Sequence, residues 1–363
     1  MRIFAFFLPQ FHEIKENNEW WGQGFTEWTN VKKAKPLYKG HVQPICPLNG
    51  YYNLLEKDTV LKQTFDMKKY GIDGFICYHY YFNGRMLLEK PAENLLKWKD
   101  IDQPFFFCWA NHDWNRSWEG KKEVLLKQEY GNETDWEQHF QYLLPFFEDS
   151  RYEKKDNMPL FMIFKSTFNE REKMFEYLDR RCKEAGFNGL YLIECYTRVK
   201  NSSNIQKDYI EFKNSLTSVT KDVFFREPDT SSRVYHDSVF CDFFPKLKRV
   251  LLKKLNKLFH KPYLYRINSK PLFKIMIKKC SSLPGIHGVF FSWDNTPRHK
   301  ERGYVLSHVT KKLFDEYMDK IKNDQYLFVN AWNEWAEGMV LEPTVTDGYK
   351  NLEWIAEWKG KNA

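Results

Sequence analysis

The feature that most constrains this chain is a regular alternation of short apolar runs with helical patterns. Eight such runs occur, at residues 2–8, 74–78, 104–109, 160–164, 190–193, 219–225, 287–291 and 326–330. Most are apolar throughout rather than at every second residue, which predicts parallel strands covered on both faces. Helical periodicity is expected at 58–70, 92–98, 135–147, 170–185, 246–259 and 311–321. Two helix-to-strand joins share one grammar, Tyr70-Gly71-Ile72-Asp73-Gly74 and Ala185-Gly186-Phe187-Asn188-Gly189. Each puts a glycine where a helix ends in the left-handed conformation. The expected fold class is α/β, a single (β/α)8 TIM-type barrel with elaborated βα loops, taken as one catalytic domain over residues 1–363. Residues 200–270 are the least patterned part, a loop-like stretch over 200–232 followed by a basic helix. An open doubly wound sheet is disfavoured, since no G-x-G-x-x-G follows the first run and no G-x-x-x-x-G-K-[ST] occurs.

Composition narrows the class further. Aromatic residues make up 18% of the chain, with 13 Trp and 21 Tyr, although 29% of residues are charged and the mean hydropathy is −0.66. Disordered chains lack such aromatics. The seven cysteines form no C-x-x-C pair, and Cys77 and Cys108 sit inside apolar runs. They read as small buried residues in a reducing compartment. A net charge of +8 is mild for this size and calls for no nucleic-acid partner. Residues 1–9 read as a first strand rather than a secretory leader, because the apolar run is short and no small-residue cleavage site follows. The expected location is cytoplasmic, peripheral to the inner face of the membrane.

In a barrel of this kind the chemistry sits at the carboxyl ends of the strands. Those ends carry His12, His79 and Tyr80, then Trp109, Asn111, His112 and Asp113, then Trp293 and Asp294, and finally Asn333, Glu334, Trp335 and Glu337. Aromatic rings beside Asn, His, Asp and Glu suit a saccharide. Sugar C–H faces pack on rings, and sugar hydroxyls need several fixed donors and acceptors. Stacking on single-stranded nucleic acid would want Lys and Arg among the rings, and few are there. The plainer alternative is buried Tyr and Trp satisfying their polar tips within a core.

The sharpest feature is Asn333-Glu334-Trp335-Ala336-Glu337-Gly338. Two carboxyl groups three residues apart on a helical turn share a face, with Cβ atoms about 5–6 Å apart. That suits the short separation used in retaining glycosyl transfer. One carboxyl must hold a proton while the other is ionised, and like charge beside Trp332 and Trp335 would separate their pKa values. The plainer reading is a surface turn with two solvated glutamates. His79, His112 and Asp113 lack zinc-ligand spacing, so no metal and no cofactor is expected. Asp100-Ile101-Asp102 precedes the third strand, at the wrong end of a barrel for a sugar-nucleotide metal motif. Between Lys246 and Lys261 runs KLKRVLLKKLNKLFHK, without an acidic residue. Leu247, Leu251, Leu255 and Leu258 fall on one helical stripe of it, which is either a face laid on the barrel or part of a patch for an anionic membrane surface or a lipid-linked acceptor.

Several motifs together resemble the WbsX-type glycosyltransferase-like family. They are Phe7-Leu8-Pro9-Gln10-Phe11-His12, Glu19-Trp20-Trp21-Gly22, and the run from Gly24 through Glu27, Trp28 and Asn30 to Val31. Further on come Trp109-Ala110-Asn111, Ser292-Trp293-Asp294-Asn295-Thr296-Pro297-Arg298, and Trp332 to Gly338. The family is more distantly similar to glycoside hydrolase family 99, the endo-α-mannosidases. The resemblance implies a (β/α)8 barrel and adds Trp28 to the candidate substrate-binding residues. It also implies that Glu334 is the base acting on a sugar 2-hydroxyl, by way of an anhydro-sugar intermediate, and that Glu337 is the acid/base. The sequence departs from those hydrolases at Ala336, where they usually carry His.

These readings lead to an expected carbohydrate-active enzyme. The first expectation is a glycosyltransferase-like protein of surface polysaccharide biosynthesis, such as O-antigen, capsule or lipopolysaccharide. Its partners would be an oligosaccharide or sugar-nucleotide substrate and a lipid-linked acceptor, with no nucleic acid. The alternative is an endo-acting α-glycosidase with retention. A glycan-binding module without catalysis comes third.

Overall fold

The structure is a computed structural model that describes residues 1–116, 123–197, 199, 204–241, 251, 254, 258, 264–280 and 282–362, with 237–241 described by their backbone alone. Its eight long parallel strands are β1 (Arg2–Phe7), β2 (Gly74–Phe82), β3 (Phe105–Trp109), β4 (Met158–Ile163), β5 (Tyr191–Tyr196), β6 (Thr220–Phe225), β7 (Ile286–Val289) and β8 (Tyr326–Val329). Each pairs with its neighbour in sequence, and β1 pairs with both β2 and β8, so the sheet closes on itself. Every expected run forms a barrel strand. β2 extends four residues beyond its expected end, and those extra residues reach into the upper face.

Helices cover the outside: α1 (Lys57–Lys69), α2 (Lys90–Lys97), α3 (Glu133–Glu148), α4 (Arg171–Glu184), α5 (Ile205–Asn214), α6 (Asp229–Cys241), α7 (Ser269–Cys280), α8 (Lys311–Lys320) and α9 (Lys350–Lys361). The helix after β1 and the helix after β4 both run into a glycine with positive φ, Gly71 at 80° and Gly186 at 90°, as the repeated join requires. Four of the nine, α5, α6, α7 and α9, are absent from the expected set, and α5 and the start of α6 occupy part of the stretch read as loop. Propensity explains α6, whose Asp, Ser, Thr and Val residues favour other conformations in isolation. Most of the basic stretch 246–261 lies outside the described residues. Of its expected apolar stripe, Leu251 and Leu258 are exposed.

Inside the barrel the packing is phenylalanine on phenylalanine. Phe4 meets Phe106 at 5.3 Å, Phe6 meets Phe224 at 5.6 Å, and Phe328 meets Phe224 at 5.1 Å and Phe106 at 5.5 Å between ring centroids. These rings come from alternate positions of β1, β3, β6 and β8, whose neighbours point outward to the helices. Much of the aromatic content is therefore core. Cys77, Cys108, Cys182 and Cys195 are buried, and the six cysteines whose side chains are described are free thiols. Asp100 and Asp102 face solvent and pair with Lys57 and Lys68.

Candidate active site

A cavity of about 410 Å³ opens over the carboxyl ends of the strands. Seven strand ends contribute to it: Leu8 and Gln10 after β1, Tyr78 and Tyr80 on β2, His112 to Asn115 after β3, Phe164 after β4, Arg226 after β6, Arg298 after β7, and Glu334 and Glu337 after β8. Trp21 closes one side from the short helix Lys15–Trp21.

The glutamates sit on a tight turn. Asn333 and Glu334 form a two-residue strand, Trp335–Glu337 is a single 3-10 turn, and Gly338 ends it at φ 59°. An added Cβ at Gly338 would lie 2.9 Å from the Asp294 backbone N. Only glycine fits there, so the turn is pinned against the strand-seven loop. Three buried groups hold the turn from below. Asn333 accepts from the Leu8 N–H at 2.7 Å and donates to the Leu8 carbonyl at 3.1 Å, tying β8 to β1. Trp335 donates through Nε1 to Glu342 at 3.1 Å and lies 3.2 Å from the Tyr52 hydroxyl. Glu342 also accepts from Tyr52 and Gln63, and burial pushes its carboxyl up to about 7.

Glu334 is buried and accepts a hydrogen bond from the Tyr78 hydroxyl at 2.8 Å. Burial, and then the charge of Glu337, push its carboxyl up to about 7, against the opposing pull of Arg226, Tyr78 and Arg298. Glu337 pairs with Arg298, whose other nitrogen donates to Glu27 at 2.5 Å. Arg226 pairs with Asp229. The arrangement is a carboxyl pair with one member poised near neutrality, a tyrosine hydroxyl on one side and a guanidinium on the other. Such a pair can hold one proton and pass it within reach of a bound substrate.

Of the candidates read from sequence, Tyr80, His112, Asp113, Glu334 and Glu337 line this cavity together. The others lie elsewhere. His79 faces α3, where its Nε2 lies 2.8 Å from the His139 Nε2, and burial lowers it to about 3. This also separates it from His112 and Asp113. Trp109 is fully buried and donates to the Tyr81 carbonyl at 3.0 Å. Asn111 bridges to Lys165, accepting from its N–H at 2.7 Å and donating to its carbonyl at 2.8 Å. His12 is buried against the Pro9 carbonyl at 3.0 Å, and burial lowers it to about 4. Trp28 packs against Phe11, Tyr51, Tyr52 and Trp335 and donates to the Tyr52 carbonyl at 2.7 Å. Asp294 accepts from His41 and Gln43, each at 2.7 Å. Burial alone would raise it, but those bonds and Thr296 outweigh this and hold it below the usual carboxylate range. Trp293 lines a second cavity, of about 710 Å³, that shares Phe164 and Arg226 with the first. Asn333 and Trp335 hold the turn, as above. Trp293 apart, these side chains build the frame of the first cavity rather than its lining.

The residues that sequence reasoning missed are Tyr78, Arg226, Arg298 and Glu27. Parity carried a signal for the first. On β2 the side chains of Tyr78 and Tyr80 share a face, and His79 takes the opposite one. Arg298 closes the Ser292-to-Arg298 motif, but nothing local says that its guanidinium turns back to Glu337.

The fold is thus a closed parallel (β/α)8 barrel with a carboxyl pair, tyrosines and arginines around an open cavity at its carboxyl face. The sequence matches the family model Glycosyltransferase WbsX over residues 3–355, and the chain belongs to that family. It is similar to the uncharacterized protein WxcX of Xanthomonas campestris pv. campestris, in strains B100 and ATCC 33913, at 27% identity over 368 residues in each. The matched part is 97% of this chain and 48% of the relative, so the chain spans about half the length of the curated relatives it matches. Among solved structures, the GH99 endo-alpha-mannosidase from Bacteroides thetaiotaomicron aligns with a TM-score of 0.56 at 11% identity, covering 99% of this chain and 97% of that one. A glycoside hydrolase-like protein aligns with a TM-score of 0.56 at 12% identity, covering 98% and 93%. At these identities the likeness is one of fold.

Proposed function

We propose that this chain is a glycosyltransferase-like enzyme of surface polysaccharide assembly, with Glu334 and Glu337 as its catalytic pair. The observation that carries the reading is the pair itself, set on one tight turn in the wall of the cavity over the carboxyl ends of the strands of a WbsX-family barrel. Glu334, as base, takes the proton of a sugar 2-hydroxyl as that oxygen closes on C1 and the C1–O bond to the departing phosphate breaks. Glu337, the acid/base, then takes the proton of the acceptor hydroxyl as it opens the anhydro-sugar at C1, and Glu334 returns its proton to the 2-oxygen. Tyr78 steadies the base through its hydroxyl, and Arg226 and Arg298 supply positive charge at the cavity wall. Tyr80, Trp21, Trp114 and Phe164 offer ring faces to the sugars. His112 and Asp113 offer polar contacts from the strand-three loop.

A base must be ionised to act, so the rate is expected to rise as pH passes through about 7, the value to which Glu334 is pushed. A rate that falls through the same range would exchange the two roles. The donor is a sugar nucleotide and the acceptor a lipid-linked glycan at the inner face of the membrane. No helix among the described residues is long and apolar enough to cross a membrane. The basic stretch between Lys246 and Lys261 and the exposed Leu251 and Leu258 favour contact with an anionic surface. Side-by-side incubation with sugar nucleotides and with α-mannosides, read by mass spectrometry, tests the reading. Transfer from a sugar nucleotide supports it, and hydrolysis of an α-mannoside alone would move the chain to the endo-glycosidase reading.

A further inference from the structure

Glu27 is a fully buried carboxyl that does not line the cavity. It begins the short helix Glu27–Lys33, which packs against both the turn Trp335–Glu337 and the helix Thr296–His299. Its Oε1 accepts from one Arg298 nitrogen at 2.5 Å, and the other Arg298 nitrogen pairs with Glu337. The Ala336 backbone N–H, from the same turn, also favours its charged form. A buried carboxyl is costly unless a partner repays it, and here the partner is an arginine shared with the catalytic pair.

We propose that Glu27 is a positioning residue, which acts through Arg298 to fix where the Glu337 carboxylate sits and how much countercharge the glutamate pair receives. The proposal rests on the reading of Glu334 and Glu337 as the acting pair. Glu27 reaches no substrate, since Arg298 and the turn stand between it and the cavity. Its carboxyl is pushed up by burial, and Arg298 opposes this. The other ionisable groups facing the pair are Arg226 and Asp229 at the end of β6 and the start of α6, and His299 beside Arg298, which burial pushes toward the neutral form. From β2, the hydroxyls of Tyr78 and Tyr80 face Glu334.

The test is a carboxyl titration of the full chain labelled with ¹³C at the glutamate side-chain carboxyls, with the Glu334 signal assigned by its loss in Glu334→Gln. In the unsubstituted protein Glu334 is expected to titrate near 7. Arg298→Gln is expected to raise that midpoint, because a cation that lowers it is gone. Glu27→Gln is expected to lower it by about half a pH unit or more, because the guanidinium charge is no longer shared. In the Arg298→Gln background the same substitution is expected to move it by less than half as much. If Glu27→Gln does not fold, Glu27→Asp keeps the charge but withdraws it from Arg298, and the same downward shift is expected. An unmoved midpoint, or an equal shift with and without Arg298, would overturn the proposal. Full turnover in Glu334→Gln and Glu337→Gln would end the catalytic reading without touching these titrations, so the two failures are distinguishable.

Discussion

At the scale of single residues the account turns on Glu334. Its carboxyl is raised from an ordinary 4.5 to about 7, so the folded protein binds a proton that the unfolded chain has already released. An acid raised in this way contributes stability that is fully present below about 4.5 and is lost as pH rises through about 7. Glu334→Gln removes that dependence. Its unfolding free energy relative to the unsubstituted protein is expected to improve between pH 5 and pH 8, by up to about 3 kcal/mol at the alkaline end. A difference that stays flat with pH contradicts the raised carboxyl. Tyr78→Phe removes a donor that favours the charged form of Glu334, so its titration, and the rising limb of the rate profile, are expected to move to higher pH. A profile left in place would remove Tyr78 from the account.

At the scale of elements, the barrel strands were legible because each is a short apolar run bounded by polar residues or glycine. The carboxyl-end rule led to the face on which the cavity opens, but it did not distinguish alternate positions on a strand. Tyr80 and His79 are adjacent, yet one lines the cavity and the other is stacked under α3 beside His139. Glu194, inside β5, likewise turns away from the cavity, to Arg171 and Thr220. The Trp335–Glu337 turn was expected as a helical turn and is a 3-10 turn, which keeps the three-residue spacing on one side. Trp332 and Trp335 do flank the glutamates in sequence, but both are fully buried and brace the turn instead of lining the cavity. Gly338 is the element's weak point. Gly338→Ala faces both a positive φ and the Asp294 backbone, and is expected to cost about 1–3 kcal/mol. It should also depress activity more than a surface Gly→Ala change of equal thermal cost. Equal activity at equal stability would show that the turn need not be held so closely.

At the scale of the whole molecule, the aromatic excess divides into three parts. Phenylalanines fill the barrel, buried tryptophans brace the loop layer above it, and Tyr78, Tyr80, Trp21, Trp114 and Phe164 line the cavity. Sequence order located the layers but not this division, because Trp28 meets Trp335, and Arg298 meets Glu27 and Glu337, only when the loops after β1, β7 and β8 pack together. The basic stretch belongs to this scale too. Binding to anionic vesicles is expected to fall with added salt, and to weaken when Lys253, Lys254 and Lys257 are neutralised together. Unchanged binding in that triple variant would remove the membrane from the account.

The most direct test of the central claim is turnover by Glu334→Gln and Glu337→Gln beside the unsubstituted chain, on the sugar nucleotide and acceptor that the product screen identifies. Both variants are expected to stay folded and to lose at least about 100-fold in kcat. Full turnover in both would contradict the assignment of these two glutamates as the catalytic pair.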